Sequence, residues 1–240
     1  MSTTLLRIDP RFRGPPTSGN GGYVAGLVAR PLGATGCVVT LKAPPPLGED
    51  LWLDAGTAEA NLLYGEAPIA TAVAAPIDIT VPAPPTHDAA GHASTRFTGF
   101  CQHNFPGCFV CGPERGDGDG LRIFPGRLDD TAQQVAALWM PDADLFDDAG
   151  LLLPEFVWAA LDCPGYFAVQ EQAGLAVLGR IGANLYRDIT RETPLIVTGW
   201  PITSEGRKHV AGTALHDEQG TLLAAALSTW ITIDAPARQD

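Results

Sequence analysis

Two ten-residue segments of this chain carry residue types that could perform hydrolytic chemistry together. Asn20-Gly21-Gly22-Tyr23-Val24-Ala25-Gly26-Leu27-Val28-Ala29 aligns, position for position, with Leu153-Pro154-Glu155-Phe156-Val157-Trp158-Ala159-Ala160-Leu161-Asp162. Each reads as the opening of a helix. Backbone N–H groups at a helix start favour developing negative charge, and a carboxylate at hydrogen-bonding distance can activate or replace water. The first copy keeps the glycine pair but ends in Ala29, while the second ends in Asp162 but has lost both glycines. If the two helices meet, one complete site and one dead site result.

Asp162 follows the apolar run Trp158-Ala159-Ala160-Leu161, where a carboxylate is costly to bury without a role or a partner. The plainer reading is that Gly21-Gly22 allows tight helix–sheet packing and that Asp162 ends a helix turn before Cys163-Pro164-Gly165.

The elements that must position these residues form a repeated plan. In residues 1–80, an apolar run at Leu5-Leu6-Arg7-Ile8 precedes a Pro/Gly/Ser loop, and a helix is predicted from about Gly21 to Leu32. Strands are predicted at 37–41, 51–57, 60–64 and 69–77, with Pro44-Pro45-Pro46-Leu47-Gly48 and Gly65-Glu66 as turns. Residues 81–99, with Pro82, Pro84 and Pro85, have the composition of a semi-rigid linker. In residues 100–240, strands are predicted at 121–124 and 131–139, and a loop carrying Asp142, Asp144, Asp147 and Asp148 follows. Next comes a helix over 154–170, with Pro154 in its first turn, and then four strands near 175–186, 195–203, 209–216 and 222–233. One apolar helix followed by antiparallel strands buries itself only if the sheet wraps around it. Twice in one chain, this makes two such units side by side.

Composition narrows the function. At 240 residues the chain is long enough for one large or two smaller cores. A net charge of −12 argues against nucleic acid, which needs a basic face. No run approaches the roughly 18–20 apolar residues of a membrane span. The N-terminus lacks a signal-peptide pattern, so the expected location is the cytoplasm. Five cysteines, an odd number, suggest reduced thiols.

With these residues in view, the chain resembles the hotdog-fold thioesterases in their double-hotdog form, an α+β architecture with two antiparallel sheets, each around a central helix. Cys108-Phe109-Val110-Cys111-Gly112-Pro113 with Asp119-Gly120-Leu121-Arg122-Ile123 is similar to their entry segment. The stretch from Arg207-Lys208-His209 to Trp230 is similar to their last hairpin. The resemblance implies hydrolysis of an acyl-CoA or related thioester, of the kind met in fatty acid metabolism, at a single site between the halves. It brings no cofactor beyond the CoA of the substrate. In the related branches the helix start carries His-Gly-Gly, and an acid seven positions after the second glycine serves as nucleophile or base. Carried over, Asn20, Gly21, Gly22 and Asp162 become the catalytic candidates; Asn20 replaces the histidine, and Ala29 and Pro154 mark the lost site. Tyr23, Phe156, Trp158 and Tyr166 are candidates to shape the acyl pocket, and Arg187 with Arg191 to hold CoA phosphates. The exposed sheet edges or backs could pair again into a homodimer.

Other constellations carry less. Cys101, His103, Cys108 and Cys111 have zinc-ligand residue types, but no second CxxC pair exists, so no metal is expected. Cys163 has no histidine near it in sequence to make a thiolate nucleophile. His209 and His216 read as ordinary strand histidines, and the Asp142 to Asp148 loop lacks the histidine a hotdog hydratase would need. The competing class is a non-catalytic double hotdog that binds an acyl chain or another hydrophobic ligand.

Overall fold

The computed structural model describes residues 2–129, 133–190 and 194–234. Helix α1 (Gly21–Ala29) begins where Asn20, in an extended conformation, accepts the Tyr23 N–H with its side-chain oxygen, satisfying an otherwise orphan donor. It ends in a tight 3-10 turn, Arg30–Leu32, closed by Gly33 at φ 58°, a left-handed conformation that glycine adopts without penalty. All of α1 but Gly21 and Leu27 is buried, the signature of a helix inside the core and not on a surface.

Around it run β1 (Ser2–Leu6), β2 (Gly36–Leu41), β3 (Leu51–Ala55), β4 (Glu59–Tyr64) and β5 (Ala67–Ala74). A second helix, α2 (His87–Thr95), follows. The second half adds β6 (Gly126–Arg127), β7 (Val135–Trp139), helices α3 (Pro154–Ala160) and α4 (Cys163–Ala173), then β8 (Ala176–Leu185), β9 (Leu195–Glu205), β10 (Lys208–Asp217) and β11 (Leu222–Thr232). The expected pair of antiparallel sheets is continuous: eleven strands run in the order β1-β3-β4-β5-β2-β8-β11-β10-β9-β7-β6. The halves join where β2 pairs with β8, from Gly36 opposite Asn184 to Thr40 opposite Arg180.

That seam sets α1 against α3, and two glycines set how closely. Gly22 and Gly26, four positions apart, lie on one face of α1. A Cβ on Gly22 would stand 2.6 Å from the Trp158 carbonyl oxygen, and one on Gly26 would stand 2.5 Å from Glu155 Cα. The early part of α1 therefore meets the late part of α3, and the two helices run antiparallel at backbone contact. A Cβ on Gly21 would instead meet Leu178 and Leu41, so the glycine pair serves helix–sheet and helix–helix packing at once.

Three elements differ from the sequence expectation. The helix predicted over 154–170 is two helices, broken at Leu161-Asp162, where Asp162 adopts φ −78°, ψ −79°. Pro164 supplies no N–H and its ring crowds the carbonyl four residues back, so a continuous helix is disfavoured at that point. The Leu161 carbonyl, freed by the break, accepts a 2.8 Å hydrogen bond from the buried Thr213 hydroxyl. The 81–99 stretch, read as linker, contains α2, whose Ala90 and Ala93 are fully buried against Ala136 and Ile196. Residues 121–124 lie outside the sheet, interrupted by Arg122 in a left-handed conformation at φ 53°, with the Leu121 and Ile123 N–H groups donating to the Phe109 and Val110 carbonyls.

Candidate active site

Asn20 uses both ends of its amide. The oxygen caps α1 through Tyr23 N–H at 2.9 Å, and the nitrogen donates to Asp162 Oδ2 at 2.8 Å. Gly22 N–H donates to the same oxygen at 2.9 Å. The break after α3 makes this meeting feasible, because it places Asp162 between two helices. Both Asn20 and Asp162 are 2% exposed. Burial pushes the Asp162 carboxyl up to about 7, against the opposing pull of the Gly22 and Asn20 donors. Asp162 Oδ1 has no hydrogen-bond partner among the described residues.

A carboxylate gripped through one oxygen, with the other bare, has the geometry of a base or nucleophile whose orientation is fixed in advance. The Gly22 N–H belongs to the positive end of α1. In this arrangement it is engaged by Asp162 itself and does not stand open to a ligand.

The remaining sequence candidates separate into two places. Tyr23 and Phe156 are buried in an aromatic cluster with Phe12 and Phe109, in which Tyr23 stacks on Phe12 at 4.2 Å between ring centroids. Burial holds the Tyr23 phenol well above its ordinary value, with the nearby Glu155 charge adding to the effect. Tyr166 donates to the Gly174 carbonyl at 2.8 Å, accepts from Asn104 at 2.9 Å and packs against Phe167 and Trp230. These three are core aromatics with their contacts already made.

Trp158 and Arg187, in contrast, line a cavity of about 600 Å³ together with Ala29, Arg30, Val157 and Tyr186. The cavity lies at the other end of the α1/α3 pair, where Ala29 stands at the position that Asp162 holds in its own copy. None of Asn20, Gly22 and Asp162 lines it. The cavity thus adjoins the end of the first copy, where Ala29 stands, while the acid ends the second copy, and Trp158, four positions before Asp162, lines the cavity on the acid's side. Arg191 falls outside the described residues.

Two features of the site escaped the sequence reading. Glu155, at the position of Gly22 in the second copy, is buried and paired with Arg30 at 2.7 Å, and its Oε2 has no partner among the described residues. Cys108 Sγ lies 3.9 Å from the Asn20 amide nitrogen, so a thiol borders the carboxylate site. The buried charge at 155 was hidden by its place in a proline-led first helical turn, where acids are common.

The sequence matches no protein-family model and no curated protein. Solved structures match over nearly the whole chain. A tesB protein of Mycobacterium avium subsp. paratuberculosis is 13% identical, covers 97% of this chain and 93% of its own, and superposes with a TM-score of 0.65. A provisionally assigned thioesterase of Novosphingobium aromaticivorans is 12% identical over 97% and 96% of the two chains, with a TM-score of 0.65. A hot dog fold protein of unknown function from Alicyclobacillus acidocaldarius is 10% identical over 98% and 94%, with a TM-score of 0.64. At such identities the likeness speaks for the backbone, and together with the two antiparallel helices inside one continuous sheet it establishes that this chain has the double-hotdog fold.

Proposed function

We propose that this protein is an acyl-CoA thioesterase-like hydrolase with one site between its two hotdog halves. The observation that carries the reading is the Asp162 carboxylate, held on Gly22 N–H and Asn20 Nδ2 from the opposite half, with Oδ1 bare.

In this reading, ionised Asp162 takes a proton from water as the hydroxide adds to the thioester carbonyl carbon, or adds to that carbon directly. Either way the negative charge leaves the carboxylate and appears on the carbonyl oxygen. Donors that had faced the carboxylate, at the positive end of α1, then follow the charge to the oxyanion. Collapse of the intermediate breaks the carbon–sulfur bond and the thiolate leaves, taking up the proton held by Asp162 on the water route; on the direct route an acyl–Asp162 anhydride remains, and its hydrolysis by water releases the acid, restores the carboxylate and protonates the thiolate. The cavity beside Trp158 offers volume for part of the substrate, and Arg30 and Arg187 give its rim the cations that CoA phosphates require. No helix among the described residues is long and apolar enough to cross a membrane.

A second reading has its own observation. The cavity adjoins Ala29 and not Asp162, and Asp162 is 2% exposed, as suits a protein that holds an acyl or other hydrophobic ligand without cleaving it. A panel of short, long and aromatic acyl-CoAs separates the two, with released CoA measured by chromatography so that the protein's own thiols do not interfere. Turnover of at least one class supports the hydrolase; saturable binding of the panel without CoA release supports the binder.

A further inference from the structure

Next to the Asp162 carboxylate, thiols from two distant parts of the chain converge. Cys108 and Cys111 belong to a turn in which Cys108 N–H bonds the Phe105 carbonyl and Gly112 N–H bonds the Cys108 carbonyl. The turn is so tight that a Cβ on Gly112 would lie 2.4 Å from the Cys108 oxygen. Cys163 opens α4. The three sulfurs lie within 4.8 Å of one another, with Cys108 and Cys163 at 3.8 Å, and all three residues are buried.

That spacing suits coordination. Two sulfurs on one tetrahedral zinc, at Zn–S of about 2.3 Å, stand about 3.8 Å apart. A disulfide would need about 2.05 Å. Side-chain N–H donors also face two of the sulfurs. His103 Nδ1 accepts Phe105 N–H at 3.0 Å, which leaves the proton on Nε2, and Nε2 lies 3.3 Å from Cys111 Sγ. The Asn20 amide nitrogen adds a donor 3.9 Å from Cys108 Sγ. Two N–H donors aimed at buried sulfurs fit thiolates on a metal better than three neutral thiols in an apolar core.

The geometry points to a zinc site formed by the Cys108, Cys111 and Cys163 thiolates, with His103 hydrogen-bonded to the Cys111 sulfur and solvent in the fourth position. Soft sulfur ligands select zinc over the harder divalent ions. Each coordinating thiol releases its proton to solvent on binding. The ion ties the 105–112 turn to the first turn of α4 and so steadies Asp162, the residue just before Cys163. This set differs from the Cys101, His103, Cys108 and Cys111 group that sequence spacing brings to mind. Cys101 is exposed, and the third sulfur comes from Cys163, 55 positions after Cys108. The site does not depend on the hydrolase reading, since a binder would hold it equally.

The test begins with the wild-type chain, purified under reducing conditions, stripped of metal by a chelator and titrated with Co²⁺ and then Zn²⁺. The expected result is one equivalent of cobalt with the visible bands of a tetrahedral ion and a sulfur-to-cobalt charge-transfer band of three-thiolate intensity, displaced by one equivalent of zinc. Cys163→Ser and Cys111→Ser are expected to lose that spectrum. Cys101→Ser keeps it, and His103→Gln keeps the stoichiometry with an affinity roughly 10–100-fold weaker. Wild-type protein that is folded, reduced and fails to develop the charge-transfer band overturns the site, as does loss of the band in Cys101→Ser with retention in Cys163→Ser. Because the wild-type titration decides alone, a cysteine variant that does not fold leaves the answer intact.

Discussion

Gly22 N–H reaches Asp162 Oδ2 at 2.9 Å, a bond between residues 140 positions apart that fastens the start of α1 to the break between α3 and α4. The same glycine permits the contact sterically, because a Cβ there would stand 2.6 Å from Asp162 Cβ. One position therefore supplies both a donor and the room for its acceptor.

Gly22→Ala and Gly26→Ala separate those two contributions. Each forces backbone apart at the α1/α3 contact, and each is expected to cost about 1–3 kcal/mol in urea unfolding. Only Gly22→Ala displaces the Asp162 carboxylate, so its loss of thioester turnover should exceed that of Gly26→Ala at least tenfold. Equal losses in both variants would reduce Gly22 to a packing residue.

Asp162→Asn keeps the shape of the side chain. Its oxygen can still accept from Gly22 and Asn20, while its NH₂ takes the place of the bare Oδ1 and can neither accept a proton nor attack a carbonyl. Steady-state hydrolysis is expected to fall by roughly 10²–10⁴-fold with the circular dichroism spectrum unchanged. A folded variant with near wild-type turnover removes Asp162 from the chemistry.

Arg30 and Glu155 form a pair in which the arginine is half exposed and the carboxylate nearly buried, with side-chain exposures of 52% and 6%. Arg30→Ala leaves a buried carboxylate without its cation and is expected to cost about 1–3 kcal/mol. Adding Glu155→Gln should restore part of that loss, since the uncompensated charge is gone. A double variant as unstable as the sum of the two singles would show that the residues act independently.

His216 gives stability a pH dependence. It is 2% exposed with Nδ1 unpartnered among the described residues, and burial holds its imidazole below the ordinary 6.5. Below that pH the unfolded chain takes up a proton that the folded chain resists, so this residue's contribution weakens stability as pH falls from 6.5 towards the folded value. Asp162 acts in the opposite sense. Its folded carboxyl, raised from 3.8 to about 7, makes stability decline as pH rises between those values. Comparing His216→Gln with wild type cancels the Asp162 part. The difference in unfolding free energy between the two proteins should shift in the variant's favour below pH 6.5, and a pH-independent difference would contradict the assignment.

Much of this protein was legible in its residues. The apolar run of α1 and its Asn20 cap are local properties, as are the strand runs and the glycine turns at Gly206 and Gly220. The duplicated motif, with glycines in one copy and an acid in the other, named Asn20, Gly22 and Asp162 as residues to watch, because a buried carboxylate needs donors and a helix start provides them.

Other features could be settled only in three dimensions. Pro164 was visible, yet that it divides the helix and turns Asp162 towards α1 depends on Thr213 being present on β10 to take up the Leu161 carbonyl. The small apolar residues of α2 hid a helix inside a stretch of linker composition, and their burial depends on β7 and β9 passing beneath them. The convergence of Cys163 on Cys108 and Cys111, and the placing of the cavity by Ala29, follow from how two halves dock along β2 and β8. Apolar runs and capping are set by neighbours in the chain, so sequence alone determined that a helix opens at each copy of the motif and that strands follow it. Proximity across 140 positions is set by which surfaces bury each other, and that was decided by the tertiary structure.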